Sequence, residues 1–163
     1  MVRTLLAFCL FSFFAWPQIV SAPPSTANNQ TVYNTTASAA AASIGATTMV
    51  ASVAANQNYF FTVYVVQTVA TAGCATQPSF QVVETHTDSI TSAVMATVIP
   101  MFNSGASVFG TPAFTATLQQ WFSGSFAVRA KSGTSITYAV SYSVGSGCTT
   151  GASYMVAPNL VQQ

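Results

Sequence analysis

Glu84 and Asp88 are the only carboxylate side chains of the 163-residue chain, His86 is its only imidazole, and Arg3, Arg129 and Lys131 are its only bases. The run Glu84-Thr85-His86-Thr87-Asp88 sets acid, imidazole and acid at i, i+2 and i+4. Alternate side chains of a β-strand share a face, so a strand here would line up all three. Oxygen, nitrogen and oxygen donors at that spacing have the chemistry to hold a divalent metal. Arg129 and Lys131 are also two apart and would share a face on a second strand. These spacings favour a cross-strand ion-pair patch of Glu84, Asp88, Arg129 and Lys131 over a metal site at Glu84, His86 and Asp88. An exposed pair of that kind is worth under about 1 kcal/mol. Phe80 and Val82 have the same parity as the acidic run, so that face is not plainly a polar pocket, and a solvated strand end is the alternative to the ion-pair patch.

Other chemistries lack their parts. Serine hydrolysis needs a serine beside a base on a sharp turn. The chain has no Gly-x-Ser-x-Gly, and His86 is the sole imidazole base. Glycoside hydrolysis sets carboxylates on opposite sides of a sugar, whereas Glu84 and Asp88 would share one strand face. There is no glycine-rich phosphate loop, and Cys74 and Cys148 form no Cys-x-x-Cys. Without a basic stripe, nucleic-acid binding has no electrostatic footing. No cofactor is expected, and the chain reads as non-enzymatic.

The N-terminal residues bear on the cysteines. Arg3, the apolar stretch Leu5 to Trp16, Pro17 and the small-residue site Val20-Ser21-Ala22 have the layout of a secretory signal peptide cleaved after Ala22. Its apolar run of about 12 residues is shorter than the roughly 20 that span a bilayer, so no membrane span is expected after cleavage. Cleavage removes Cys9 and leaves Cys74 and Cys148, an even pair that reads as a disulfide in an exported chain. The protein is therefore expected to be secreted, whether extracellular, at a cell surface or periplasmic. Two sequons, Asn29-Gln30-Thr31 and Asn34-Thr35-Thr36, are candidate glycosylation sites.

The elements that must position these side chains read as strands. Residues 23–46 are rich in Ala, Ser, Thr, Asn and Pro and are expected to form a flexible arm, leaving 47–163 as the folded domain after the signal peptide 1–22. Within that domain, 58–70, 90–99, 113–118, 125–130, 135–144 and 153–157 carry strand patterns. The alternation is cleanest in Ser135–Val144, where Ile136, Tyr138, Val140, Tyr142 and Val144 share one face. Phe61, Val63 and Val65 lie on one side of 58–70, and Phe60, Tyr64 and Val66 on the other, so that strand is central or sits at an interface. Trp121-Phe122 and a Ser123-Gly124-Ser125 turn separate 113–118 from 125–130. The Ala-rich run 37–43 has no apolar face and supports at most a short helix. The fold expected is all-β, an antiparallel β-sandwich of about eight strands, jelly-roll-like, with one disulfide.

Charged residues make up 3% of the chain, against about a quarter in ordinary domains. A nearly uncharged surface promotes association, so the expected partner is a second copy of the chain or a cell-surface glycan. Tyr59 and Trp121 are the candidate aromatic contact residues. One form of this reading is a filament whose residues 23–48 add a strand to a neighbour's sheet edge. The alternative is a small extracellular carbohydrate- or ligand-binding module.

The segment Gly124–Tyr138, GSFAVRAKSGTSITY, resembles runs in small secreted bacterial β-rich proteins of unknown role and toward the C-termini of some phage virion proteins. The resemblance implies a β-rich structural or binding module and brings no catalytic residues. It also implies a structural place for Arg129 and Lys131. The signal peptide and disulfide depart from the virion pattern.

Overall fold

The computed structural model describes residues 32–103, 112–116 and 120–163. They form ten strands and no helix. In chain order these are β1 Val32–Asn34, β2 Ala37–Ala40, β3 Ile44–Val50, β4 Gln57–Val69, β5 Ser79–Thr87, β6 Val94–Val98, β7 Phe102–Asn103, β8 Trp121–Ala130, β9 Ile136–Ser143 and β10 Ser153–Gln162. One sheet runs β1-β10-β4-β8-β7, with β2 also on β10; the other runs β3-β9-β5-β6. Every pairing is antiparallel.

The pairs are nested: β2 with β10, β3 with β9, β4 with β8, β5 with β6. Successive pairs fall in alternate sheets. A chain doubled back at the β5–β6 turn and then rolled up has this order, which is that of a jelly roll. The two inner faces supply the core. Tyr59, Phe61, Val63 and Val65 of β4 face Phe80 and Val82 of β5 and Ile136, Tyr138 and Val140 of β9, all buried. Phe114 and Tyr154 stack at 5.4 Å, and Phe80 and Phe114 at 4.7 Å, so one end of the core is aromatic. Burying one such ring contributes roughly 1.5–3 kcal/mol.

Cys74 in the β4–β5 connection is bonded to Cys148 in the β9–β10 connection, their Cα atoms 3.9 Å apart. Closing a loop across 74 residues stabilises the fold by about 4 kcal/mol in the chain-entropy model. Among the described residues no helix is long and apolar enough to cross a membrane.

Several local expectations need correction. Residues 32–46, expected as part of a free arm, carry β1, β2 and the start of β3. In β2 small side chains suffice because cohesion comes from hydrogen bonds to β10 and its approach, including Ala41 N–H to Ala152 O at 2.8 Å. Residues 23–31 of the expected arm and residues 1–22, expected as a signal peptide, lie outside the described residues. Residues 90–93 are not strand: Asp88 accepts from the amides of Ile90 and Thr91, and Ser92 takes φ 58°, which turns the chain into β6. Of the 113–118 stretch, the described residues 113–116 form only an isolated bridge at Ala113 to Ser79, and 117–118 lie outside the description. Trp121 through Ser125 belong to β8 rather than to a turn. Gly124 is there because the chain at Ile99–Met101 passes over it; a Cβ would meet the Pro100 carbonyl at 2.5 Å.

Candidate functional site

β5 alternates so that Phe80, Val82, Glu84, His86 and Asp88 all point inward. The shared face expected for the acidic run is present, but it is the core face. Glu84 is fully buried and His86 nearly so. The physical reason is position: β5 lies inside its sheet, between β9 and β6, and the other sheet covers it. A solvated strand end is therefore not what forms.

His86 Nδ1 sits 3.0 Å from Glu84 Oε2 and 3.1 Å from Oε1. Burial pushes the Glu84 carboxyl above its ordinary range, and the hydrogen bond and charge of His86 oppose part of that rise. Tyr138 stands opposite Glu84 in register, and its buried hydroxyl has no hydrogen-bond partner among the described residues.

Asp88 is organised differently. Its Oδ1 accepts from Ile90 N, Thr91 N and Thr91 Oγ1 at 3.0, 2.7 and 3.0 Å. Its Oδ2 takes Arg129 Nε and Nη2 at 3.0 and 2.8 Å. The Thr91 amide does most to hold this carboxyl well below its usual range; burial opposes, and Arg129, the Thr91 hydroxyl and the Ile90 amide add to the lowering. The pair ties the end of β5 to β8 of the other sheet.

Of the expected ion-pair patch, then, Asp88 and Arg129 come together. Glu84 is withdrawn to His86, and Lys131 donates from Nζ to Ser92 Oγ at 2.9 Å instead of meeting an acid. The metal reading fails on the same geometry: no three His, Cys, Asp or Glu side chains among the described residues converge to hold an ion. Asp88 is held at the turn, while Glu84 and His86 hold each other.

His86 and Asp88 line an open cavity of about 620 Å³, with Met95 and Thr97 of β6 on one side and Phe126 and Arg129 of β8 on the other. An imidazole backed by a carboxylate can exchange a proton through its second nitrogen. Among the described residues that line the cavity, Asp88 and Arg129 are committed to each other.

Tyr59 is 2% exposed, its ring 6.4 Å from that of Tyr33, so it cannot serve as a contact platform. From Tyr59 to Gln67 the odd-numbered β4 residues face the core and the even ones do not. Trp121 is 46% exposed and shares the outer face of its sheet with Phe60, Tyr64 and Phe102. Phe102 had no strand signal in the sequence, since β7 is two residues long. Asn34 is exposed on β1, whereas Asn29 lies outside the described residues.

No family model and no curated protein matches the chain. Among solved structures it is similar to a chain in the structure of infectious bursal disease virus, Gx strain, at 12% identity and TM-score 0.50. The match covers 83% of this chain and 32% of that one, so this chain spans about a third of the viral chain's length. A second similarity is to the CBM22-1–GH10 modules of Clostridium thermocellum xylanase 10B complexed with xylohexaose, at 15% identity and TM-score 0.35, over 68% of this chain and 17% of that one. The likeness to the viral chain is one of fold, a two-sheet antiparallel β-sandwich.

Proposed function

We propose that this chain is a secreted, non-enzymatic structural or adhesive β-sandwich that associates with copies of itself as a surface or filament component. The observation that carries this reading is the outer face of the β4 sheet. Phe60, Tyr64, Phe102 and Trp121 stand exposed there, each at 40% or more. Several large exposed rings on one sheet face suit a contact surface. A formal net charge of +1 gives two copies almost nothing with which to repel each other. The strand-donating form of the reading is narrowed, because β1 and β2 pair with β10 of the same chain. Donation would require that pairing to be exchanged between copies.

Sedimentation of the mature protein over a wide concentration range tests this. Association is expected for the wild type, with Phe60→Ser/Tyr64→Ser shifted toward monomer while its melting stays close to wild type. A wild type that remains monomeric at every concentration refutes it. The exposed Trp121 beside Tyr64 also suits a sugar-binding reading, since aromatic faces stack on sugar rings. In that case a glycan array would give hits that Trp121→Ala removes.

A further inference from the structure

A sheet edge offers unpaired N–H and C=O groups to any strand that approaches, and natural proteins guard such edges with shortness, charge, proline or bulges. The edges of this sandwich differ in how they are guarded. One edge of the β4 sheet ends in β1 and β2, and the other in β7, all very short. The part of β8 beyond β7 carries Arg129, tied to Asp88, and bridges to β5's end at Ala130. In the second sheet, β3 is broken by register irregularities on either side of Thr47–Thr48. β6 has none of these devices. Val94-Met95-Ala96-Thr97-Val98 contains no charge and no proline, its register with β5 is unbroken, and among the described residues it pairs with β5 alone.

The direction of its hydrogen bonds follows from its neighbours. Ile99 N–H donates to Val82 O, and Asp88 N–H donates to Ala93 O. Positions 93 and 99 therefore face β5, and by the alternation of an antiparallel ladder so do Met95 and Thr97. Val94, Ala96 and Val98 turn their amides and carbonyls away from the sheet. The same three residues point their side chains to the sheet's outer face, where Val94 is 72% and Val98 49% exposed.

We propose that β6 is an interface that pairs antiparallel with β6 of a second copy about a two-fold axis at Ala96. This proposal rests on the self-association reading and names a contact for it. With Ala96 opposite Ala96, Val94 falls opposite Val98, and each outward amide meets an outward carbonyl. The Val94–Val98 contacts form β-branched cross-strand pairs, and the second sheet becomes continuous through both copies. About a two-fold axis each residue of the edge meets its register mate in the second copy, and a residue on the axis meets itself. The absence of charge on this strand makes it compatible with itself. The aromatic face of the other sheet remains free, so edge and face together carry association beyond a dimer.

The test combines amide exchange with edge variants. In assembled wild type the amides of Val94, Ala96 and Val98 are expected to exchange at least about tenfold more slowly than in dilute monomer. Ala96→Pro removes an outward N–H and leaves the β5 ladder bonded. It is expected to weaken association by about tenfold or more, equivalent to roughly 1.4 kcal/mol. Ala96→Lys, which sets two like charges directly opposite each other on the axis, gives the same result by another route should the proline variant fold poorly. Wild type that assembles while these three amides stay open, or edge variants that assemble like wild type, overturns the β6 interface and leaves self-association standing. Wild type that never assembles overturns both.

Discussion

The outer faces of the two sheets are built from opposite materials. On the β5–β9 sheet, Gln81, Thr85, Thr87, Thr137 and Ser141 stand outward beside Ala139 and Val83. On the β4–β8 sheet, the outward positions include Phe60, Tyr64 and Trp121, joined by Phe102 of β7. Hydroxyls and amides can meet water without charge, as on a half-solvated antiparallel strand. Rings cannot, and leaving them exposed favours their being covered. A charge-poor chain thus meets water through Ser and Thr where β5 and β9 lie side by side, and presents apolar side chains at the β6 edge of that sheet and on the outer face of the other. The contrast recurs within a single strand, where Phe60 is 41% exposed and its neighbour Phe61 fully buried.

That pair gives the sharpest test of the two faces. Phe61→Ala should lower unfolding free energy by about 3–5 kcal/mol, because the cavity it leaves is in the core. Phe60→Ala should cost little stability and chiefly reduce association. Denaturant melts and sedimentation of both variants would break the comparison if the effects were exchanged. Loss of the disulfide comes next. Cys74→Ala/Cys148→Ala should cost about 2–4 kcal/mol through the unfolded chain and leave the aromatic face as associating as before, once folded material is compared.

The buried side of the β5–β9 sheet is sensitive to pH in two directions. Glu84 binds its proton more tightly folded than unfolded, so stability falls as pH climbs from the ordinary 4.5 through the raised value. Asp88 binds its proton less tightly folded, so the stability it adds is present above its ordinary 3.8 and is lost as pH falls below it. Melting temperature should peak in mildly acid solution. Glu84→Gln should flatten the decline toward neutral pH, and Asp88→Asn the decline toward acid. A profile unchanged by both would contradict the geometry of β5. The smallest effect on stability is expected at Trp121→Ser, within about 0.5 kcal/mol, with a measurable loss of association. A larger loss of stability would mean that the outer face also supports the fold.

Period-two alternation made β4 and β9 legible within a residue or two, since each is long and one or both faces are apolar. The disulfide was legible from cysteine parity once Cys9 was set aside with the expected signal peptide. β8 was found only in part, because Ser-Gly-Ser signals a turn locally, while here Gly124 answers to Pro100 crossing above it. β2 was missed because Ala-Ser-Ala-Ala has no pattern of its own and is strand only through β10. Of the candidate site, the shared face of Glu84, His86 and Asp88 was readable and its burial was not.

The sequence by itself determined the class of fold, the strands with strong alternation, the cysteine pair and the poverty of charge, because these depend on residues close together or on composition. The tertiary structure decided which face of β5 turned inward, that Asp88 rather than Glu84 met Arg129, that Tyr59 was buried and Trp121 was not, and that β6 was left as an edge. Each of those depends on which strand lies beside or above another, and partners as distant as Asp88 and Arg129, 41 residues apart, are joined only when the chain has rolled up.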